Sequence, residues 1–255
     1  MDSTTLATPE PSSARAPGDL LGKSSIGSAQ DGSDPRDDKK FYFADTPQRR
    51  ALVALMRSLF SLVMEMDVKG LEHFPDRGPV ILAANHVTSF DVFHMQFSVP
   101  RPIFFMGKAE LFKNPVMDVF LRNLSGFPVK RREKDQWAMR HAAKILQRGQ
   151  TLGMFPEGTR SKGRGLAVAK TGTARLAIEA GCPILPMAVI GSDQFFSHFP
   201  RRTRVQITLL PPLLPKTGES PLALTDRLMF TLAQGLPEEM RGVYADVPEG
   251  FRIKG

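Results

Sequence analysis

The stretch PVILAANHVTSFD, residues 79–91, decides the fold of this chain. Its first six residues are apolar and follow the turn signal Asp76-Arg77-Gly78, a pattern that predicts a buried β-strand over 79–84. The residues after it predict a helix that begins near Asp91, with Ser89 as its cap. His86 therefore falls between a buried strand and a helix, which is where open α/β sheets bind their ligands.

His86 and Asp91 are the candidate catalytic residues, in an HX4D spacing. An imidazole titrates near working pH, so it can take up a proton and return it. A carboxylate bonded to its other nitrogen fixes the tautomer and stabilises the imidazolium. On these two residues alone, a capping aspartate beside a core histidine is an equally open interpretation.

Composition and charge limit the kinds of molecule that this protein is expected to bind. The chain of 255 residues carries a net charge of +8; residues 1–40 have five basic and seven acidic side chains, which leaves +10 for the rest. A basic folded part favours an anionic partner such as a phospholipid surface, a phosphorylated substrate or an acidic carrier protein. Nucleic acid is disfavoured because no aromatic residues are interleaved with the basic ones.

The single cysteine, Cys182, excludes an internal disulfide and predicts a buried, inert thiol.

The chain divides into three predicted segments. Residues 1–40 are rich in Ser, Pro, Gly and Asp and predict a disordered tail without a secretory signal. Residues 41–66 predict an amphipathic helix capped by Thr46 and Pro47. Arg49 and Arg50 oppose the helix dipole unless anionic head groups lie nearby, so a membrane-interfacial helix and a helix packed on the domain are both open. Residues 67–255 predict one domain.

Strands alternate with helices along this domain, and that alternation predicts an α/β fold with a sheet covered by helices. The predicted strands span residues 67–71, 79–84, 102–106, 127–129, 151–155, 183–190 and 205–210. The predicted helices span residues 91–98, 109–124, 134–148, 170–180 and 222–236.

Four sequence blocks resemble one enzyme family. NHVTSFD at 85–91 resembles the NHxSxxD block of the glycerolipid acyltransferases of the 1-acylglycerol-3-phosphate acyltransferase type. SGFPVKR at 125–131 is similar to the second block, FPEGTRS at 155–161 matches the third in full, and PILPMAV at 183–189 resembles the fourth. The resemblance implies a mixed, mostly parallel sheet and the transfer of an acyl chain from acyl-CoA or acyl carrier protein to lysophosphatidic acid, giving phosphatidic acid.

The resemblance also implies the roles of individual residues. His86 would take the acceptor's hydroxyl proton while Asp91 orients the ring. The expected phosphate-binding cations are Lys108, Arg131 and Arg160. Three further substrate-binding residues are expected in the third block, Glu157, Gly158 and Thr159. Gly158 would let the substrate approach the backbone, and Glu157 would bind a glycerol hydroxyl or an arginine. Lys130 departs from the family, which often has an acidic or neutral residue there, and this leaves the head group open.

The expected partners are a lysophospholipid acceptor, acyl-CoA or acyl carrier protein, and an anionic membrane surface. We expect a peripheral protein at the cytoplasmic face of a membrane that needs no cofactor and no metal, since His, Cys and carboxylates show no metal-ligand spacing. Another acceptor, such as glycerol 3-phosphate, a different lysophospholipid or an amino-lipid, is an alternative. So is a non-catalytic, membrane-docked protein that binds lipid phosphates. A serine hydrolase is disfavoured because the G-x-S-x-G elbow is missing.

Overall fold

The computed structural model describes residues 34–39, 41, 46–130, 133–194 and 199–251. Seven strands form one sheet within these residues: β1 Met64–Lys69, β2 Val80–Ala84, β3 Ile103–Lys108, β4 Gly126–Val129, β5 Thr151–Met154, β6 Ile184–Ile190 and β7 Thr203–Leu209. The α-helices are α1 Pro47–Val63, α2 Asp91–Ser98, α3 Pro115–Asn123, α4 Gln136–Gln147, α5 Gly172–Ala180 and α6 Pro221–Gln234.

The sheet has the strand order β1-β7-β6-β2-β5-β3-β4. The strands β2 to β6 all run in one direction, whereas β7 is antiparallel to β6 and β1 is parallel to β7. The predicted α/β class with a mixed, mostly parallel sheet is therefore confirmed. Because the five parallel strands end at the same edge, the loops after β2, β3, β4 and β5 meet there, and these loops contain three of the family blocks.

Strand β2 lies at the centre of the sheet and is buried on both faces. Ile81 and Ala83 face a core built with α4, α5 and α6, while Leu82 faces a second core with α1 and α2. A continuous apolar run is what a parallel strand covered on both faces requires. The site residues that follow β2 are thus attached to a central strand that is buried on both faces.

The first helix is shorter than its predicted range of 41–66. Thr46 caps it by accepting a hydrogen bond from the Arg49 N–H, as predicted, but the helix ends at Val63. Met64 is extended and begins β1, which pairs with β7 from its first residue. Strand β1 therefore begins three residues before the predicted strand over 67–71, because pairing with a distant strand overrides the local helical periodicity.

The predicted helix over 109–124 is in fact two elements. A 3-10 turn covers Ala109–Lys113, and α3 begins only at Pro115. Proline disfavours the helical conformation in the residue before it, so Asn114 is extended and instead caps α3 by accepting from the N–H groups of Val116 and Met117.

The chain separates into two units, Met1–Asp38 and Lys39–Gly255. In the first unit only residues 34–38 are described, and they form a turn in which Asp34 accepts from the Arg36 N–H. The predicted tail over 1–40 otherwise lies outside the described residues, and its disorder stays a prediction. Among the described residues, no helix is both long and apolar enough to cross a membrane.

Candidate active site

His86 and Asp91 form a buried hydrogen-bonded pair at the end of β2. The His86 Nδ1 lies 2.9 Å from the Asp91 Oδ2, and both residues are buried, Asp91 completely. His86 belongs to the turn after the strand and Asp91 to the first turn of α2, so the five-residue spacing brings the two side chains face to face. With Nδ1 directed at the carboxylate, Nε2 is the ring nitrogen available to a substrate.

The Asp91 carboxylate also organises the turn that contains His86. Its Oδ2 accepts from the N–H groups of Val87 and Thr88 at 2.7 and 2.9 Å, and its Oδ1 accepts from the Thr88 hydroxyl at 3.2 Å. Burial alone would raise the pKa of Asp91, but hydrogen bonds from the His86 ring and the Thr88 backbone outweigh it and lower the pKa. Asp91 is therefore held as a carboxylate.

Ser89 does not cap α2, contrary to the sequence prediction. The residue that precedes the helix is Phe90, without a side-chain cap, and its N–H is bonded to the Thr88 hydroxyl. Ser89 is exposed and instead accepts a 2.8 Å hydrogen bond from the Arg160 guanidinium. Because Phe90 occupies the position before the helix, Ser89 lies one residue outside the cap position and makes this contact instead.

Glu157 ties the third block to the first. Its Oε1 accepts from the His86 backbone N–H at 3.1 Å, and its Oε2 accepts from the Ala167 N–H at 2.9 Å. The residue is only 2% exposed, and burial raises the pKa of its carboxyl. The expectation that Glu157 binds a glycerol hydroxyl or an arginine does not match this geometry, because its carboxylate holds two backbone groups and positions the histidine.

Asn85 is a site residue that the sequence reasoning did not single out. Its side-chain amide donates to the Val189 carbonyl and accepts from the Val189 N–H, both at 2.8 Å. These two bonds extend the pairing of β2 and β6 one residue beyond the ladder, since the last paired residue of β2 is Ala84. Its position directly before His86 was the available signal.

A cavity of about 250 Å³ opens beside the His86 ring. The ring stacks on Phe155 with their centroids 3.9 Å apart. Apolar side chains from β3, β4, β5 and α4 form much of the cavity wall: Phe105, Met106, Val129, Met139, Met154 and Phe155. Within the part of the chain that the structure describes, the charged residues that line it are Lys130, Glu133 and Lys170. The cavity can hold an apolar chain next to the imidazole and an anionic group beside it.

Arg160 lines a separate recess. This recess of about 440 Å³ is bordered by Arg160, Lys162, Ser89 and Ser192, and His86 is not among its lining residues. Arg160, which the sequence predicts to bind a phosphate, therefore lines a recess formed with the residues that directly follow His86. Its contact with Ser89 holds the guanidinium there.

The other predicted substrate-binding residues are less closely grouped. Lys108 is exposed at the end of β3, with its Nζ 3.7 Å from the Glu110 carboxylate. Thr159 is exposed, and Gly158 adopts a φ of +68°, a left-handed conformation that favours glycine. Arg131 lies outside the described residues. The structure thus brings together His86, Asp91, Glu157 and Gly158, whereas Lys108 lies two strands away along the same sheet edge.

Two further findings concern metals and the thiol. Among the residues that the structure describes, no group of three His, Cys, Asp or Glu side chains could hold a metal ion. Cys182 is buried, as predicted, and burial raises the pKa of its thiol to about 11. A thiol with that pKa is a poor nucleophile at neutral pH.

The matching family model and the relatives compared below are all described as acyltransferases. Residues 65–190 match the family model described as Acyltransferase. A 1-acyl-sn-glycerol-3-phosphate acyltransferase of Borreliella burgdorferi is 29% identical over 141 residues, which are 54% of this chain and 56% of that protein. The alpha form from Ovis aries is 28% identical over 191 residues, 70% of this chain and 66% of that protein. This chain therefore spans less than two thirds of the length of these two relatives.

A solved structure shares the fold. The crystal structure of the 1-acyl-sn-glycerophosphate (LPA) acyltransferase PlsC from Thermotoga maritima superposes with a TM-score of 0.62 and 24% sequence identity. The alignment covers 76% of this chain and 83% of the other. A Bacillus subtilis 1-acyl-sn-glycerol-3-phosphate acyltransferase is 28% identical over 62% of this chain and 78% of its own length.

Proposed function

Because this chain belongs to the acyltransferase family, of the 1-acyl-sn-glycerol-3-phosphate acyltransferase type, we propose that it acylates the free hydroxyl of lysophosphatidic acid. The product is phosphatidic acid. The donor is an acyl thioester, either acyl-CoA or acyl carrier protein. The observation that carries the proposal is the buried His86–Asp91 pair at 2.9 Å, with the imidazole lining a largely apolar cavity.

The proposed step uses His86 as a general base. The acceptor hydroxyl gives its proton to Nε2 as its oxygen attacks the thioester carbonyl, and a C–O bond forms. The tetrahedral intermediate then collapses, the C–S bond breaks, and the imidazolium returns the proton to the leaving sulfur as a free thiol. Asp91 stabilises the imidazolium throughout. General-base action contributes typically about 10²–10⁴-fold, so positioning of the two substrates supplies much of the rest.

The surrounding residues support this assignment. Asp91 fixes the ring through Nδ1, while Glu157 fixes the backbone of the same residue, so the imidazole is held from two sides. Phe155 stacks on one face of the ring. The apolar cavity wall suits an acyl chain, since burying each methylene is worth roughly 0.8 kcal/mol. We also propose that the reaction needs no metal and no cofactor, so that dialysis against a chelator leaves the rate unchanged.

A membrane surface is the proposed source of the acceptor. The solvent side of α1 exposes three leucines at helical spacing: Leu55, Leu59 and Leu62 are 57%, 48% and 64% exposed. Arg50 and Arg57 lie on the same helix, which suits anionic head groups. We propose that the protein binds peripherally at the cytoplasmic face and takes its lipid acceptor there.

The test is thiol release from acyl-CoA by the purified protein with lysophosphatidic acid, glycerol 3-phosphate or lysophosphatidylcholine as acceptor. We expect release that requires lysophosphatidic acid and that falls at least about 10²-fold in His86→Ala. His73→Ala is the matched control, because His73 lies on the turn after β1 and hydrogen-bonds to the Leu209 carbonyl. Acyl carrier protein replaces acyl-CoA in a second series to identify the donor.

The other outcomes are equally informative. Release with a different acceptor would support the proposed acyl transfer but overturn lysophosphatidic acid as the acceptor. Equal release by wild type and His86→Ala overturns the role of the histidine. No release with any acceptor or donor, while lysophosphatidic acid still binds, supports the non-catalytic lipid-phosphate binding protein instead.

A further inference from the structure

The chain between β5 and α5, residues 155–171, is here called the connecting segment; it contains the third family block and forms neither helix nor strand. Because buried main-chain groups need hydrogen-bond partners, such a segment depends on other parts of the protein for its conformation. Two of its residues hold both main-chain polar groups of His86. Glu157 accepts from the His86 N–H at 3.1 Å, and the Ser161 N–H donates to the His86 carbonyl at 2.7 Å. The position of the catalytic histidine therefore depends on how the connecting segment is held.

The part of the chain that follows α6 holds the connecting segment by its main chain. The Leu166 N–H donates to the Met240 carbonyl at 3.0 Å, and the Val243 N–H donates to the Leu166 carbonyl at 3.1 Å. Residues 240–244 are here called the C-terminal clamp. They lie beyond residues 65–190, which match the family model.

Tyr244 adds a side-chain contact close to the residue that binds the glutamate. Its hydroxyl oxygen accepts from the Ala169 N–H at 3.1 Å. Ala167, two residues earlier, is the residue whose N–H binds the Glu157 Oε2. Tyr244 is buried, and its ring packs edge-to-face on Phe230 of α6, with the centroids 5.3 Å apart. The tyrosine is thus anchored in the core while its hydroxyl binds the connecting segment.

The clamp and the connecting segment cross at a pair of glycines. Gly165 and Gly242 have positive φ values of +77° and +53°, and a Cβ atom at position 165 would lie 2.7 Å from the Gly242 nitrogen. A Cβ atom at position 242 would overlap the Leu166 carbonyl oxygen. Glycine at both positions therefore permits the close approach that the hydrogen bonds of the clamp require.

We propose that Tyr244 is a positioning residue for acyl transfer, which acts on His86 through the connecting segment and Glu157. The assignment rests on the proposed function, because it concerns the rate of that reaction. The Tyr244 hydroxyl holds the main chain at Ala169. That main chain places the Ala167 N–H against the Glu157 Oε2, and the other oxygen of the carboxylate holds the His86 N–H. The C-terminal clamp thus supports the active site from outside the family blocks.

Removal of the hydroxyl alone tests the proposal. Tyr244→Phe keeps the aromatic ring, and it should lower kcat roughly two- to tenfold, the range that corresponds to the loss of one hydrogen bond. The KM values for lysophosphatidic acid and acyl-CoA should stay close to those of the wild type, because Tyr244 lines neither the His86 cavity nor the Arg160 recess. Thr225→Val is the matched control, since it removes a buried hydroxyl that bonds to the Pro221 carbonyl within α6, and it should keep the wild-type kcat. Urea unfolding verifies that both variants fold.

A double-mutant cycle with Glu157→Gln separates positioning from a general loss of stability. If the hydroxyl acts through Glu157, Tyr244→Phe should lower kcat by a smaller factor in the Glu157→Gln background than in the wild-type background. Equal factors in the two backgrounds overturn the proposal, and so does an unchanged kcat in Tyr244→Phe. A higher KM at constant kcat also overturns it, because the tyrosine would then affect substrate binding and not the placement of the histidine.

Hydrogen exchange separates this proposal from the proposed function, since it needs no turnover. Peptides that cover residues 161–170 should exchange faster in Tyr244→Phe than in the wild type, whereas peptides from α4 should exchange at the wild-type rate. Faster exchange together with no turnover by the wild type overturns both the acyltransferase activity and the role of Tyr244 in it, although the clamp itself stands. Turnover by the wild type, with unchanged exchange and unchanged kcat in Tyr244→Phe, overturns the positioning role alone.

Discussion

The Glu157 carboxylate accepts a 3.1 Å hydrogen bond from the backbone N–H of His86, a residue 71 positions earlier in the chain. Its second oxygen binds the Ala167 N–H at 2.9 Å. One buried carboxylate thus joins the loop after β2 to the segment that follows the third block. The glutamate of that block contacts the histidine through its main chain, and both of its buried oxygens have backbone partners.

We predict that Glu157→Gln lowers both stability and kcat. An amide offers one acceptor and one donor where two acceptors are required, so one buried N–H loses its partner, at a cost of about 1–3 kcal/mol in the free energy of unfolding. A displaced His86 backbone should lower kcat roughly tenfold or more. Urea unfolding and thiol release measure the two effects. Glu179→Gln, on the exposed side of α5, is the control, and equal behaviour of the two variants would contradict the prediction.

Asp91 should make stability depend on pH in the acid range. Burial opposes ionisation, but the hydrogen bonds to the carboxylate prevail, so the pKa in the folded state lies below the ordinary value. The unfolded chain therefore binds more protons over that interval, and the stabilisation is complete above a pH of about 4 and is lost as pH falls through the folded-state pKa.

Asp91→Asn should flatten this dependence. Urea unfolding between pH values of about 2.5 and 6 should give a smaller slope of the unfolding free energy against pH than in the wild type. Asp246→Asn, at an exposed aspartate, should keep the wild-type slope. If the Asp91 variant also keeps it, the lowered pKa is refuted.

Asn85→Ala should destabilise the end of the central strand. The change removes both hydrogen bonds to Val189 and leaves a buried N–H and a buried carbonyl without partners, for a loss of about 2–4 kcal/mol. The comparison is Asn123→Ala, whose side chain bonds to the Val119 carbonyl at an exposed position. A difference of less than about 1 kcal/mol between the two variants in thermal or urea unfolding would show that the bridge is dispensable.

The exposed leucines of α1 should bind lipid. Changing Leu55, Leu59 and Leu62 together to serine should reduce sedimentation with vesicles of anionic phospholipid, since each exposed leucine that enters the bilayer contributes apolar burial. The triple variant should keep turnover on dispersed short-chain substrates. Leu214→Ser and Leu222→Ser, 63% and 62% exposed, are the controls. Equal vesicle binding by all of these proteins would point to a different membrane-binding surface.

The sequence predictions are correct for features whose physical cause lies in neighbouring residues. The Thr46–Pro47 helix start and the buried strand before His86 follow from neighbouring residues, and the structure contains both. The helix start at Pro115 is equally local, since a proline at the first helical position is a standard sign of a helix start. The predicted Ser89 cap was wrong because the helix begins at Asp91, so Phe90 and not Ser89 precedes it.

The sequence by itself determined the α/β class, and its five-residue spacing predicted the pairing of His86 with Asp91, because strand burial and short-range geometry depend on adjacent residues. Only the tertiary structure decided that β1 pairs with β7, that Glu157 holds the His86 backbone, and that Lys170 rather than Arg160 shares the His86 cavity. These contacts join residues far apart in the chain. Their partners are selected by how the strands order in the sheet, and no local pattern of charge or hydrophobicity encodes that order.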